Sequence, residues 1–337
     1  MIPDVSLDAY DAARHRAAVI DRSDRGRLVV SGADRASYLH GLFTNDIASI
    51  GPGRGVYTAY LTAQGRMIAD LWVYELGDAI LLMMDGSVRE TVLAKLDQFI
   101  FTEDVQLGDV TATFAQIGVI GPDAARTVSA AVHAPVEAVA ALGEHGNLRV
   151  PFGSGSAIVT RITDTGEPGY DLYVERADAA AVLASCRASG AADLDPGTAD
   201  AIRIERGVPR FHRDMDEDTI PLEAGIESTA ISFTKGCYVG QEVIVRVLHR
   251  GHGRIARKLM GLSMAGERVP DPGAVVRSGE REVGRITSAA FSPALRTPVA
   301  LASLHRDFLE PGTAVTVDGA IAATVVALPF VEPRALA

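Results

Sequence analysis

Cysteine is scarce in this sequence. Its 337 residues include two cysteines, Cys186 and Cys237, which lie far apart in the chain. Such a pair provides no disulfide framework of the kind that stabilises small secreted domains. The cysteine content therefore indicates a protein of a reducing compartment.

Long apolar runs are also missing. No stretch approaches the ~18–20 consecutive apolar residues that cross a bilayer. Residues 1–8 lack both the positive segment and the apolar core of a signal peptide. Hydrophobic residues make up 47% of the chain and charged residues 22%, as is usual for a soluble globular protein. We therefore expect a cytoplasmic protein with no membrane contact.

Basic residues are outnumbered by acidic residues, 32 to 43, and the net charge is −11. The sequence also lacks clusters of aromatic residues on which bases could stack. Both features argue against direct binding to nucleic acid. One stretch differs, because residues 235–258 contain six basic residues and one acid. This basic stretch either attracts an anion or protects a strand edge from aggregation, and both interpretations stay open.

The chain is longer than a single hydrophobic core usually serves, so two or three packed units are expected. Before residue 255, short strands and helices are mixed without a regular βαβ repeat, which predicts an α+β arrangement. Residues 56–61 and 67–76 form a hairpin signal around a glycine-containing turn. Beyond residue 255, six short β-rich runs separated by Pro and Gly indicate a β-barrel or sandwich.

These composition changes define the predicted domains. Residues 1–255 form the first region, which contains two subdomains. One subdomain covers roughly residues 1–120 together with 195–255, and the other covers residues 121–194. Residues 256–337 form a separate C-terminal β domain.

The segment richest in chemical groups combines a thiol, an amine, a phenol, an amide and a carboxylate. It reads Lys235-Gly236-Cys237-Tyr238-Val239-Gly240-Gln241-Glu242, and we call it the signature segment. If the segment is extended, Lys235 and Cys237 share a face, and the ammonium favours the reactive thiolate of Cys237. The alternative is a Gly-rich turn that leads into a strand and carries a half-buried structural cysteine.

A helix is predicted from the N-cap Asp195, with proline at the first helical position, to a stop at Gly207. Glu205 falls in the last turn of this helix, where the macrodipole disfavours a carboxylate. Such a carboxylate is either simply solvated or held in place for a ligand. The acidic loop at residues 213–219 lacks the central Gly and closing Glu of a calcium-binding loop, so we reject calcium binding there.

Several motifs together resemble the YgfZ group of folate-binding proteins, relatives of the glycine-cleavage T-protein (aminomethyltransferase). The signature segment is the strongest of them, and the others follow in the family's order. They are residues 42–47, 64–71, 203–209, 214–216, 221–225 and 283–288. The resemblance spans most of residues 25–305.

The resemblance implies a fold that the residue patterns alone do not establish. Two intertwined N-terminal α+β units and a C-terminal antiparallel β-barrel would surround a central opening that holds tetrahydrofolate or a one-carbon derivative. Glu205 would then bind the pterin ring, whose edge offers adjacent N–H donors. The other residues expected to bind the cofactor are Gly236, Tyr238, Gly240, Gln241, Glu242 and Arg246. No metal ligands are assigned.

Three residues are candidates for catalysis: Cys237 and Lys235 of the signature segment, and Asp70, which the resemblance adds. Asp70 matches one of two adjacent aspartates that aminomethyltransferases place at the hairpin. Here the partner position is Ala69, and Arg66 replaces the second glycine of that motif. These departures make glycine-cleavage activity doubtful from the sequence.

Three functions are therefore compared. The YgfZ-type resemblance favours a folate-binding accessory protein for iron–sulfur cluster assembly or repair, whose partners would be client or assembly proteins. Two cysteines fall short of the four thiolates that usually hold a cluster, so a stable cluster bound by this chain alone is not expected. The alternative is a folate-dependent one-carbon (aminomethyl) transferase or demethylase, with Asp70 as the proton acceptor. A third is an indirect role in tRNA modification.

Overall fold

The structure, a computed structural model, describes residues 5–249 and 255–332. Seventeen strands are found in this part of the chain, and most of them pair in an antiparallel sense. They are β1 Ala18–Asp21, β2 Gly26–Ser31, β3 Arg54–Leu61, β4 Met67–Glu75, β5 Ile80–Met84, β6 Gln106–Asp109, β7 Phe114–Ile120, β8 Asn147–Phe152, β9 Gly155–Ile162, β10 Gly169–Glu175, β11 Ala192–Asp193, β12 Arg257–Met264, β13 Val275–Ser278, β14 Arg281–Ser292, β15 Thr297–His305, β16 Ala314–Val317 and β17 Ile321–Val326.

Ten short α-helices accompany the strands. They are α1 Leu7–His15, α2 Arg35–Leu42, α3 Arg89–Asp97, α4 Ala124–Val132, α5 Val136–Ala140, α6 Ala179–Ala188, α7 Pro196–Glu205, α8 Pro221–Ala224, α9 Glu227–Ala230 and α10 Gln241–His249. Within the described ranges, no helix has the length and apolar character needed to cross a membrane.

Two sheets form the N-terminal region. The first has five antiparallel strands in the order β3-β4-β5-β2-β6, and the second has six in the order β11-β1-β7-β10-β9-β8. They face each other through a small apolar cluster in which Tyr74 and Met83 of the first sheet meet Ile162 and Tyr173 of the second. The predicted hairpin is confirmed as β3 and β4, which pair from Arg54 to Leu61.

Helices cover the outer face of each sheet. Helices α2 and α3 pack against the five-stranded sheet, together with α8, α9 and α10. Helices α4, α5 and α6 pack against the six-stranded sheet, and α6 buries Cys186 completely. Burial raises the pKa of the Cys186 thiol to about 11, so this cysteine is a packing residue.

The C-terminal strands close into a six-stranded antiparallel barrel in the order β12-β15-β14-β13-β16-β17. Closure removes the exposed sheet edges that would otherwise template aggregation. The barrel packs on α7, whose Ala201 and Ile204 contact Leu259, Val299 and Leu301. The predicted combination of an α+β region and an antiparallel β-barrel is therefore confirmed.

The predicted subdivision of the first region differs from the observed pairing. Strand β1 falls within residues 8–22, whose polar, Ala-rich sequence with helical spacing predicts a helix, and it pairs with β7 and β11 in the six-stranded sheet. The predicted border at residue 120 would leave β1 and β7 with the wrong sheet. Helical spacing in the Ala-rich N-terminus concealed β1, because its four residues are too few to show alternation.

The signature segment leads into a helix, not the predicted strand. Helix α10 begins at Gln241, directly after Gly240, whose φ of +84° only glycine adopts without strain. Ile244 is buried in the core, whereas Val245 is exposed. The β-branched run at residues 243–245 suggested a strand, but here its burial follows the helical period because the tertiary contact prevails over propensity.

Gly240 is required by a close approach to the hairpin. A Cβ atom at this position would lie 2.5 Å from the carbonyl oxygen of Thr62. We expect Gly240→Ala to destabilise the fold by about 2 kcal/mol or more, because it adds a backbone clash to an unfavourable φ. Urea unfolding followed by circular dichroism measures the change.

Gly236 provides the matched control for this substitution. No atom lies within 4 Å of a Cβ added there, and its backbone is outside the left-handed region. Gly236→Ala should shift the unfolding free energy by less than about 0.5 kcal/mol. Equal effects of the two substitutions would contradict the docking of Gly240 on the hairpin turn.

Candidate functional site

The candidate site is a cavity of about 440 Å³ between the two sheets, next to α7. This volume is in the usual range for a site that binds a small organic cofactor. Tyr57, Asp70, Trp72 and Met83 form one wall from strands β3, β4 and β5. The opposite walls come from Arg22 and the turn after β1, from the loop after β9, from α7, and from the segments 207–211 and 225–229.

Strand alternation decides which hairpin residue reaches this cavity. Successive side chains of β4 point to opposite faces of the sheet. Ala69 is fully buried in the helix-covered core, whereas Asp70 lines the cavity. Because Ala69 occupies the position of the second aspartate of the hairpin motif, the carboxylate that is lost lies on the core side of β4. The side chains that line the cavity are unaffected by this replacement.

Asp70 is held by one neighbouring side chain. It is 5% exposed, and the Tyr57 hydroxyl donates a 2.8 Å hydrogen bond to its Oδ2. Burial raises the pKa of Asp70 to about 6, although the bond from Tyr57 opposes that shift. A carboxyl group with this pKa exchanges a proton near neutral pH, as a general base must.

A second carboxylate of the cavity is held permanently charged. Arg22 contacts Asp164 at 3.0 Å and Asp171 at 2.9 Å, and Arg25 also contacts Asp164. Burial of Asp164 favours its neutral form, but the two arginines outweigh it and lower the pKa of Asp164 to about 2. These ions form a rigid polar wall because each buried charge has a hydrogen-bonded partner.

Arg203 connects the cavity wall to the barrel. Its guanidinium lies 2.7 Å from Asp214 and 2.8 Å from the Ser288 hydroxyl on β14. The same side chain contacts Asp200 one turn earlier on α7. Because Arg203 is 5% exposed, these bonds fix the position of α7 between the sheets and the barrel.

Glu205, predicted to bind the pterin, has a different environment. It is fully buried, accepts a 2.6 Å hydrogen bond from Tyr10, and also accepts one from the Ser292 hydroxyl. The backbone N–H of Ala294 donates to it at 3.3 Å. Glu205 is absent from the residues that line the cavity. Its carboxylate joins α1, α7 and the barrel, which explains its place in the last helical turn without a ligand.

Lys235 is also committed to the protein backbone. Its ammonium donates to the carbonyl oxygens of His40, Phe43 and Asn45 at 2.5, 2.7 and 3.0 Å. These bonds use all three ammonium protons and satisfy the C-terminal end of α2. Burial lowers the pKa of Lys235 to about 8. The predicted activation of the Cys237 thiol by Lys235 is therefore not seen, and Cys237 is exposed at the surface.

The rest of the signature segment lies away from the cavity. Tyr238 is buried in the core with its ring 5.2 Å from the Lys235 ammonium. Gln241, Glu242 and Arg246 are on α10, and the last two are exposed. Among the residues the structure describes, Asp70 is the only predicted site residue that lines the cavity. Arg250, His252 and Arg254 of the basic stretch lie outside the described residues.

The prediction missed most of the cavity wall. Tyr57 lies opposite Trp72 in the hairpin register, so the alternation of β3 and β4 could have placed it near Asp70. Arg22 and Asp164 come from loops 142 positions apart in the chain and meet only through the fold. No local spacing signals such a pair.

Family models match almost the whole chain. The GCVT N-terminal domain matches residues 3–235, and the glycine cleavage T-protein C-terminal barrel domain matches residues 257–332. The crystal structure of glycine cleavage system aminomethyltransferase T from Bartonella henselae superposes with a TM-score of 0.88 over 98% of this chain and 91% of that one. With 22% sequence identity, that likeness shows the shared fold.

Curated relatives agree with this assignment. An aminomethyltransferase of Rubrobacter xylanophilus is 30% identical over 95% of this chain and 85% of its own length. An aminomethyltransferase of Geobacillus kaustophilus is 31% identical over 96% of this chain and 89% of its own. The similarity therefore extends through both regions of the molecule.

The raised pKa of Asp70 has a consequence for stability. The folded state holds this proton more tightly than the unfolded chain does, so stability falls as pH rises through the interval from about 4 to about 6. At pH 8 the ionised carboxylate destabilises the fold. We expect Asp70→Asn to stabilise the protein at pH 8 by about 1–3 kcal/mol, because the amide still accepts the bond from Tyr57.

Thermal unfolding at pH 4 and pH 8 measures this effect, which should nearly vanish at pH 4. Asp218→Asn is the control, since that side chain is 93% exposed and should change stability little at either pH. A loss of stability in Asp70→Asn at pH 8 would show that the carboxylate is a structural group.

Proposed function

The chain belongs to the glycine cleavage T-protein family, and on that premise we propose that it transfers a one-carbon unit from an aminomethyl group to tetrahydrofolate. The observation that supports this proposal is the buried Asp70–Tyr57 pair in a cofactor-sized cavity. The named relatives are aminomethyltransferases. They favour this function over the iron–sulfur accessory role and the tRNA-related role that the YgfZ-type resemblance implied.

The reaction requires two proton movements. A donor X–CH₂–NH₂ and tetrahydrofolate give 5,10-methylenetetrahydrofolate, ammonia and X–H. Two bonds form, from the carbon to N5 and to N10, and the bonds from the carbon to the amine and to X break. The protons from N5 and N10 end on ammonia and on X. A group that accepts and returns a proton therefore lowers the barrier.

Asp70 suits this task. With a pKa of about 6, it is ionised at neutral pH and still basic enough to accept a proton from a developing ammonium. Tyr57 fixes the orientation of the carboxylate, which reduces the reorganisation needed during the reaction. The Tyr57 and Trp72 rings, 4.8 Å apart, give the cavity an apolar wall against which a flat pterin can lie.

The closing test combines binding and turnover. We expect saturable binding of tetrahydrofolate by the wild-type protein, and release of ammonia with formation of methylenetetrahydrofolate from an aminomethylated thiol. Asp70→Asn should lower kcat by about 10²–10⁴-fold, because it removes the general base, while the fold remains intact. Absence of folate-dependent turnover in the wild type would refute the proposal.

Glu205→Gln is the matched comparison, because the amide keeps the size of the side chain and acceptor capacity for Tyr10. If Glu205 is structural, tetrahydrofolate affinity should stay within about twofold while stability falls by about 1–3 kcal/mol. A tenfold loss of affinity without loss of stability would return Glu205 to the pterin site.

The pH dependence provides an independent check. Activity should rise with pH along a limb centred near 6, since the ionised form of Asp70 is the active one. Tyr57 favours that ionised form, so Tyr57→Phe should move the limb to higher pH. The profile of kcat/KM against pH for the two proteins measures the shift. A limb that stays in place would show that another group titrates.

A further inference from the structure

We propose that Glu217, His212, Ser87 and Asp85 form a proton relay that connects the cavity to the protein surface. The inference rests on the proposed function, because it concerns the protons of that reaction. It assigns a positioning and proton-transfer role to residues that neither the signature segment nor the hairpin motif contains.

The four side chains form a continuous hydrogen-bonded chain. The Ser87 hydroxyl lies 2.6 Å from Asp85 Oδ1 and 2.8 Å from His212 Nδ1. The other ring nitrogen, Nε2, lies 2.9 Å from Glu217 Oε1. Asp85 lines the cavity beside Asp70, and Ser87, His212 and Glu217 are exposed. One end of the chain therefore faces the cavity and the other faces solvent.

The donors and acceptors allow an arrangement of protons that supports transfer toward the cavity. Asp85 and Glu217 are both acceptors when ionised, so Ser87 donates to Asp85 and His212 donates to Glu217 through Nε2. The Ser87 oxygen then accepts from Nδ1–H of the same ring. Both ring nitrogens donate in this pattern, as they do in an imidazolium. In that form the relay carries a proton that can move toward the cavity.

The transfer moves protons and no heavy atoms. The imidazolium gives its Nδ1 proton to the Ser87 oxygen as the Ser87 hydroxyl proton passes to Asp85. Neutral His212 then regains a proton from solvent. Asp85 supplies the proton to the leaving group X or to the amine in the cavity.

Charges and hydrogen bonds around the relay act on its two carboxylates. Despite its partial burial, Asp85 has a lowered pKa because of the hydrogen bonds from Ser87 and the charges of Arg210, 3.7 Å away, and His212. His212 also lowers the pKa of Glu217. In turn, the negative charge of Asp85 helps to raise the pKa of Asp70. The protonation of Asp70 and that of the relay are therefore linked.

The backbone conformation of His212 supports a functional role for this residue. Its φ is +61°, a left-handed conformation that is uncommon for a residue with a side chain. Its N–H donates to the carbonyl of Met215 at 2.7 Å, and its ring packs on Phe211, with the ring centroids 4.6 Å apart. Phe211 itself lines the cavity. This turn places the imidazole against a residue of the cavity wall.

The Ser87 hydroxyl is dispensable for helix capping. The cap of the short helix at residues 86–88 is made by Asp85 Oδ1 and the backbone N–H of Ser87 at 3.0 Å. Ser87→Ala therefore keeps the cap and removes only the link between Asp85 and His212. This substitution therefore distinguishes a proton-relay role of these residues from a purely structural one.

The experiment compares Ser87→Ala, His212→Gln and wild type in the folate-dependent turnover described above. We expect kcat to fall roughly tenfold or more in both variants, with unchanged tetrahydrofolate affinity and unfolding midpoint. The solvent deuterium isotope effect on kcat should increase as proton transfer becomes rate-limiting, and added imidazole should restore activity to His212→Gln. His305→Gln is the control, because that partly exposed histidine pairs with Asp307 at 3.3 Å on the barrel and does not line the cavity.

The outcomes are distinguishable. An active wild type with Ser87→Ala and His212→Gln indistinguishable from His305→Gln would overturn the relay and leave the proposed function standing. Slow variants without imidazole rescue, or with weakened folate binding, would also overturn it in favour of a structural role. An inactive wild type would overturn both proposals.

Discussion

The molecule depends on the buried guanidinium groups that join its units. Arg203 of α7 holds Asp214 of the loop that follows α7 and Ser288 of the barrel at once, and Arg22 holds Asp164 and Asp171 of the six-stranded sheet region. Removing one partner of a buried pair leaves an uncompensated charge, which is far more costly than replacing the pair. Arg203, Arg22 and Asp164 also line the cavity, so the integrity of the fold and the shape of the site depend on the same ion pairs.

Much of the fold could be predicted from the sequence because its signals are local. The β3–β4 hairpin followed from a glycine turn between alternating runs, and the barrel followed from short strands with regular breaks. Strand β1 could not be found in this way, since its four residues are placed by pairing with β7. For α10, a buried Ile244 and the contact of Gly240 with the hairpin override the strand propensity of its valines.

The site was harder to predict than the fold. The unusual mixture of chemical groups drew attention to the signature segment. In the fold, however, Lys235 donates hydrogen bonds to the carbonyls at the end of α2, and Tyr238 packs in the core. The same residue type can take part in catalysis at one position and bind backbone carbonyls at another. The surrounding residues determine which of the two roles it has. Asp70 was found because the family resemblance matches it to an aspartate of the hairpin motif, whereas the ion pairs of the wall are contacts between distant loops.

Two aspartates in one cavity show how the surroundings assign roles. Asp164 and Asp70 are both buried carboxylates, and desolvation favours the neutral form of each. Asp164 has two arginines and its pKa falls to about 2, while Asp70 has a tyrosine hydroxyl and its pKa rises to about 6. Asp164 is thus a fixed charge that can orient a polar ligand, and Asp70 is an exchangeable one. When the surroundings drive the pKa values of two carboxyl groups apart, the group that titrates near neutral pH is the candidate acid–base residue of the site. Here that group is Asp70, on the face of β4 that lines the cavity.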